Sequence, residues 1–153
     1  MAGNRFSVST GPVATSTTPK SVLQIKAATN VGVLLRRLTL TGTTAANSTD
    51  PPAKVRLTRT ASGGAFGTFT PITPTKDEPA LAETIQATAG HTATVEPTTS
   101  TTGTNRQWQV SPLSGAIMIF EPPLRIPGGA SLNVEITAGS GTPQFDTEAV
   151  CEE

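Results

Sequence analysis

The chain has no tyrosine and, among its 153 residues, one tryptophan, one histidine and one cysteine. Each scarcity excludes something. A single cysteine, Cys151, cannot close an intrachain disulfide, so the chain is no disulfide-stapled scaffold and is compatible with a reducing cytosol. The one possible Cys/His nucleophilic pair is His91 with Cys151, and neither lies in a supporting motif. His91 stands among Gly and Thr residues that read as a loop. No second His or Cys lies at metal-ligand spacing and there is no Asp-rich Ca²⁺ loop, so neither a metal nor a cofactor is expected. No apolar run approaches the ~20 residues of a membrane helix, and the Ser/Thr-rich stretch after Arg5 is not a signal-peptide core; no membrane contact is expected. Leu, Ile, Val and Phe number only 32, close to the roughly 20% below which a highly charged chain stays disordered. The net charge is zero, which favours folding and leaves self-association unopposed.

What the chain has in abundance is threonine, 28 residues of it. Thr is β-branched, stiff at χ1, and suits a pleated, half-buried surface. Period-2 alternation marks strands at Ser21–Ala27, Val31–Gly42, Lys54–Thr60, Arg106–Val110, Leu124–Ile126, Ser131–Ala138 and Phe145–Glu153. Leu34, Arg36, Leu38 and Leu40 fall on one face of the second of these; Val55 and Leu57 point inward in the third. The unbroken apolar run Gly115–Phe120 reads as a strand covered on both sides, ended by Pro122-Pro123. Residues 80–87 fit a short helix or a strand. Residues 43–52, with the glycosylation-type triplet Asn47-Ser48-Thr49, and residues 98–104 read as loops, and Ser62–Gly67 as a glycine-rich turn without dinucleotide-loop spacing. Pro71, Pro74 and Pro79 keep the intervening segment extended. Phe6 and Val8 alternate with polar residues before Gly11-Pro12 breaks the pattern, so residues 1–20 are expected to form an extended N-terminal arm ahead of a single domain at 21–153. Eight or nine short strands without covering helices predict an all-β antiparallel sandwich, with a jelly roll as the expected topology.

Charge is divided along the sequence. Residues 1–59 carry eight cations and one anion, residues 60–153 three cations and ten anions. Either early strands pair with late ones and neutralise each other across the sandwich, or a basic face of one molecule meets an acidic face of the next. Arg36, Arg37, Lys54, Arg56 and Arg59 would form a basic stripe if adjacent strands placed Arg37, Lys54 and Arg56 on one face; without aromatics to stack bases, nucleic acid is not the expected partner. Trp108 is a core residue, an interface anchor or a sugar-stacking platform. Glu83 and Glu121 are the best-placed carboxylates for a glycosidase pair, rim charges being the plainer reading.

In order, the Val55-Leu57-Arg59 strand, the Gly/Thr loop through Gly64 and Thr70, the Thr-Pro tract to Asp77-Glu78-Pro79-Ala80, the isolated Trp108, Pro122-Pro123-Leu124-Arg125-Ile126-Pro127-Gly128-Gly129, the strand Leu132–Ile136 and the acidic last strand resemble the layout of head decoration (cement) proteins of tailed bacteriophages. The resemblance spans about residues 21–153. It implies a non-enzymatic virion protein, assembled in the host cytoplasm and placed on the capsid exterior. Such a protein is usually a homotrimer that clamps joints between major capsid protein subunits. Arg5, Phe6, Val8, Arg37, Arg56 and Trp108 are the expected assembly contacts. The alternative is a carbohydrate- or receptor-binding module of a phage tail or head fibre.

Overall fold

A computed structural model describes residues 3–43, 50–78, 82–98 and 106–153. The described residues form eleven strands and no helix: β1 (Arg5–Ala14), β2 (Lys20–Lys26), β3 (Val33–Gly42), β4 (Ala53–Thr60), β5 (Thr68–Ile72), β6 (Thr75–Lys76), β7 (Thr88–Val95), β8 (Arg106–Val110), β9 (Ala116–Ile126), β10 (Ser131–Thr137) and β11 (Gln144–Glu152). A five-stranded sheet in the order β6-β1-β11-β3-β9 faces a six-stranded sheet in the order β5-β7-β2-β10-β4-β8. All pairings are antiparallel. With β5–β7 set aside as an insertion, the other eight strands interleave first-eighth-third-sixth and second-seventh-fourth-fifth, the strand order of a jelly roll. The fold is the antiparallel β-sandwich that the alternation predicts.

The core is built from alternate residues of both sheets. Val33, Leu35, Leu38, Leu40, Phe145, Ala149 and Cys151 meet Leu23, Ile25, Val55, Leu57, Leu132, Val134 and Ile136. Burial raises the Cys151 thiol to about 12, which leaves it protonated and inert.

Several expectations fail here for physical reasons. Residues 5–14 are not an arm. β1 lies between β11 and β6, with Phe6 opposite Cys151 and Val13 opposite Phe145. Gly11-Pro12 does not end this strand: the register shifts between Ser9 and Pro12, and Gly11 takes a φ of 63°, so the pair is a bulge inside it. Leu34 does not share a face with Leu38 and Leu40. A shift between Leu35 and Arg37 turns both arginines outward and brings Val33, Leu35, Leu38 and Leu40 inward. Pro122-Pro123 likewise interrupts the pairing of β9 with β3 between Ile119 and Leu124, but the strand resumes to Ile126; an edge strand tolerates the missing donors. His91 lies on a strand, β7, not a loop. Residues 82–87 are neither helix nor strand. Residues 80 and 81, the glycosylation-type triplet and residues 99–104 lie outside the described residues.

The outward side of the six-stranded sheet is also not bare. Asn133, Thr58, Thr60 and Gln24 point away from the core yet are buried, because the glycine-rich loop folds over them. Gln24 donates through Nε2 to the Phe66 carbonyl (2.8 Å) and to Asn133 Oδ1 (2.8 Å), and Asn133 Nδ2 donates to Thr60 Oγ1 (3.2 Å). Lys26 caps the Phe66 ring at 4.1 Å. Gly67 has a φ of 73°, and a Cβ there would stand 2.3 Å from the Val95 carbonyl, so only glycine lets the loop close.

Candidate docking surface

Part of the charge division is met inside the molecule. Arg36 pairs with Glu152; Arg37 meets Glu148 at 3.2 Å and Arg56 meets Glu135 at 2.7 Å. In each case an early strand lies beside a late one, as interleaving requires. Arg37 lies on the outer face of the five-stranded sheet, whereas Lys54 and Arg56 lie on the outer face of the six-stranded one. No single basic stripe joins them.

Of the expected contact residues, Phe6 and Val8 are buried in the core; the period that placed them on a strand also turns them inward, so they cannot dock on a neighbour. Arg5 is exposed, on the outer face of the five-stranded sheet. There it borders a shallow depression together with Ser7, Arg36, Arg37, Glu148 and Val150. Trp108 is half-buried and lies at the opposite end of the molecule from β1, on the edge formed by β8 and β9.

That edge carries the surface feature that the sequence reading missed. β8 ends one sheet and β9 ends the other. The turn joining them is held by the Gly115 N–H donating to the Ser111 carbonyl (2.9 Å). Gly115 has a φ of 66°, and a Cβ would come within 2.1 Å of the Leu40 carbonyl. Arg106 and Trp108 share the inward face of β8 with the positions opposite Leu57 and Val55. From β9, Met118 and Phe120 face the same interior. Trp108 meets Phe120 edge-on, with ring centroids 6.1 Å apart, and the Arg106 guanidinium lies 5.5 Å from the Phe120 centroid. A groove of about 400 Å³ runs between the two strands.

Gly115–Phe120 is therefore not covered on both sides. Its alternate residues Ile117 and Ile119 turn outward and are 68% and 69% exposed, the most exposed large apolar side chains among the described residues. Beyond them, Arg59 Nη2 donates to the Arg125 carbonyl (2.6 Å) across the mouth of the sandwich, and partial burial draws the Arg59 guanidinium below its usual value.

The constellations considered for catalysis are not assembled. Glu83 lies beside β6, its carbonyl accepting from Lys76 Nζ, while Glu121 lies on β9 at the other end of the same sheet. Four strand spacings, ~19 Å, separate those edges, well beyond the ~5–9.5 Å of a glycosidase pair. His91 hydrogen-bonds its neighbour Thr92 (Nδ1 to Oγ1, 2.9 Å) on the six-stranded sheet; Cys151 is buried in the other. Among the described residues, no group of three His, Cys, Asp or Glu side chains is placed to hold a metal, and no helix is long and apolar enough to cross a membrane. No protein-family model, curated protein or solved structure matches the chain.

Proposed function

We propose that this chain is a structural virion protein of the decoration type, a rigid β-sandwich that binds the major capsid protein of a tailed phage and stabilises the shell from outside. The observation that carries this reading is the β8–β9 edge. It combines an aromatic pair, the rim cation Arg106 and the two most exposed large apolar side chains among the described residues, Ile117 and Ile119. Contiguous exposed apolar surface of this kind marks protein contact sites, and Trp and Arg are the residues that anchor them. The outer face of the five-stranded sheet, with Arg5, Arg37 and Glu148 around Val150, supplies a second, polar contact surface of the kind found at interface rims. Many such weak contacts repeated over a shell add through avidity.

The test is co-sedimentation of the purified protein with shells of a tailed-phage major capsid protein, followed by thermal melting of the decorated shell. Binding accompanied by a rise in shell melting temperature supports the reading; failure to co-sediment refutes it. The groove also favours a second reading, since the half-buried Trp108 beside Gln109 could stack and hydrogen-bond a sugar. Glycan-array binding lost on Trp108→Ala would select that receptor-binding module instead. The decoration resemblance implies a homotrimer, and the geometry of the β9 edge bears on that point.

A further inference from the structure

We propose that the β8–β9 edge is filled by a second copy of this chain, with β9 pairing antiparallel to β9 of its partner about a two-fold axis through Met118. The inference rests on the reading of this edge as a protein-docking edge and assigns its occupant.

The first argument is the sequence of the free segment. Ala116-Ile117-Met118-Ile119-Phe120 contains no charge and no proline. Among the described residues, β9 pairs with β3 on one side only, so its other side presents unpaired backbone donors and acceptors, a template for another strand. A partner with a charge opposite this segment would bury it unpaired; a second copy brings none.

The second argument is register. Pairing centred on Met118 sets Ile117 opposite Ile119 of the partner, and Ile119 opposite Ile117. Both exposed isoleucines of each copy are then covered by isoleucine, at the ~5 Å of directly opposed residues. Met118 and Phe120 keep facing the interior, so the two cores join along the groove lined by Trp108. Shifting the register by one residue would turn isoleucine toward methionine on the wrong face. The same patch serves both copies, as a two-fold interface requires.

The third argument is extent. The seven residues Gly115–Glu121 span ~23 Å. The edge of a two-sheet sandwich, sheets ~10 Å apart with side chains outside both, is ~20 Å wide. The edge therefore offers ~460 Å² per copy, close to half of the ~1,000 Å² total expected of a biological contact. Zero net charge removes the long-range repulsion between copies.

Sedimentation of the wild-type chain at micromolar concentration should give a dimer. Ile119→Asp should weaken it at least a hundredfold, because the two-fold counts the substitution twice, while the far-UV spectrum and melting temperature stay native for so exposed a position. A cysteine cross-link fixes the register: a mixture of Ile117→Cys and Ile119→Cys chains should oxidise to a covalent dimer, and neither variant alone should, since like positions lie ~7–8 Å apart on the diagonal. A wild-type monomer, a trimer, an Ile119→Asp dimer or efficient cross-linking of one variant by itself overturns the pairing. Because the dimer occupies the β8–β9 edge, it leaves the shell contact to the outer face of the five-stranded sheet around Arg5 and Arg37, and that role is read separately by co-sedimentation with shells.

Discussion

Replacing Phe6 by alanine separates an N-terminal arm from an inner strand. Phe6 is fully buried, with Cys151 directly opposite on β11 and Lys76 opposite on β6. Truncating a buried phenylalanine removes its transfer energy and leaves a cavity, together ~3–5 kcal/mol. A domain of this kind stands only ~5–15 kcal/mol above its unfolded state, so the substitution consumes a large share. At ~2–4 °C per kcal/mol for this chain length, the midpoint should fall by roughly 8–16 °C for a loss of about 4 kcal/mol. Thermal melting followed by far-UV circular dichroism reads it directly. Arg5→Ala, next to Phe6 but exposed, is the control and should stay within ~0.5 kcal/mol of wild type. Deletion of residues 2–14 should abolish cooperative melting, because it opens the five-stranded sheet along β11. If Phe6→Ala shifted the midpoint by less than ~3 °C, β1 would be an arm after all and its pairing with β11 wrong.

Other consequences follow from single groups. The Cys151 thiol, raised to about 12 from 9.0 by burial, should resist alkylation in the native state and react on unfolding at the global rate. Its folded-state value lies above its unfolded one, so its stabilising contribution is complete below about pH 9 and is lost as pH rises toward about 12. At ~1.4 kcal/mol per unit, denaturant titrations should lose ~4 kcal/mol across that window, a loss that Cys151→Ala removes. Asn133→Ala should cost ~1–3 kcal/mol, since it strands Gln24 and Thr60 beneath the glycine-rich loop without their buried partner; urea unfolding measures it. The Glu153 carboxylate accepts from the Gln86 (2.6 Å) and Ala87 (3.0 Å) N–H groups, so Glu153→Gln should speed hydrogen exchange at those two amides while leaving core amides unchanged.

Much of the sandwich was legible because alternation is local. Leu132, Val134 and Ile136 in β10, and Val55 and Leu57 in β4, announce an inward face without reference to anything else. Three features were not legible, each because a bulge or a distant segment decided it. Gly11-Pro12 and Pro122-Pro123 look like strand ends, but a bulge can absorb either without ending the ladder. β7 runs Thr-Ala-Gly-His-Thr-Ala-Thr-Val, with one large aliphatic residue, at its end, and no clear face; only β2 and β5 on either side make it a strand. Burial of Gln24 and Asn133 depends on a loop far away in sequence. The candidate site failed for a sharper reason. An unbroken apolar run looks the same whether a strand is sandwiched within its own molecule or left with one face uncovered, and Ile117 and Ile119 belong to the second case.

The fold's treatment of its edges narrows what can bind there. β6 lies against β1, and β7 with β5 extends the sheet beyond β2, so the insertion shields one side of the sandwich. Among the described residues, β8 and β9 on the other side receive no further strand. Proteins usually protect such edges with charge, proline or a bulge, and the second half of β9 has all three in Glu121, Pro122-Pro123 and the break in pairing before Leu124. The first half, Ala116–Phe120, has none. An approaching strand can therefore pair with these residues and must stop at Glu121, which limits both length and register. A short edge that meets its own copy across a two-fold axis is consumed by that one contact and leaves no free side on β9 at the junction. The same segment pairing head-to-tail with a different edge would propagate without end, and the proline bulge makes that growth the harder of the two.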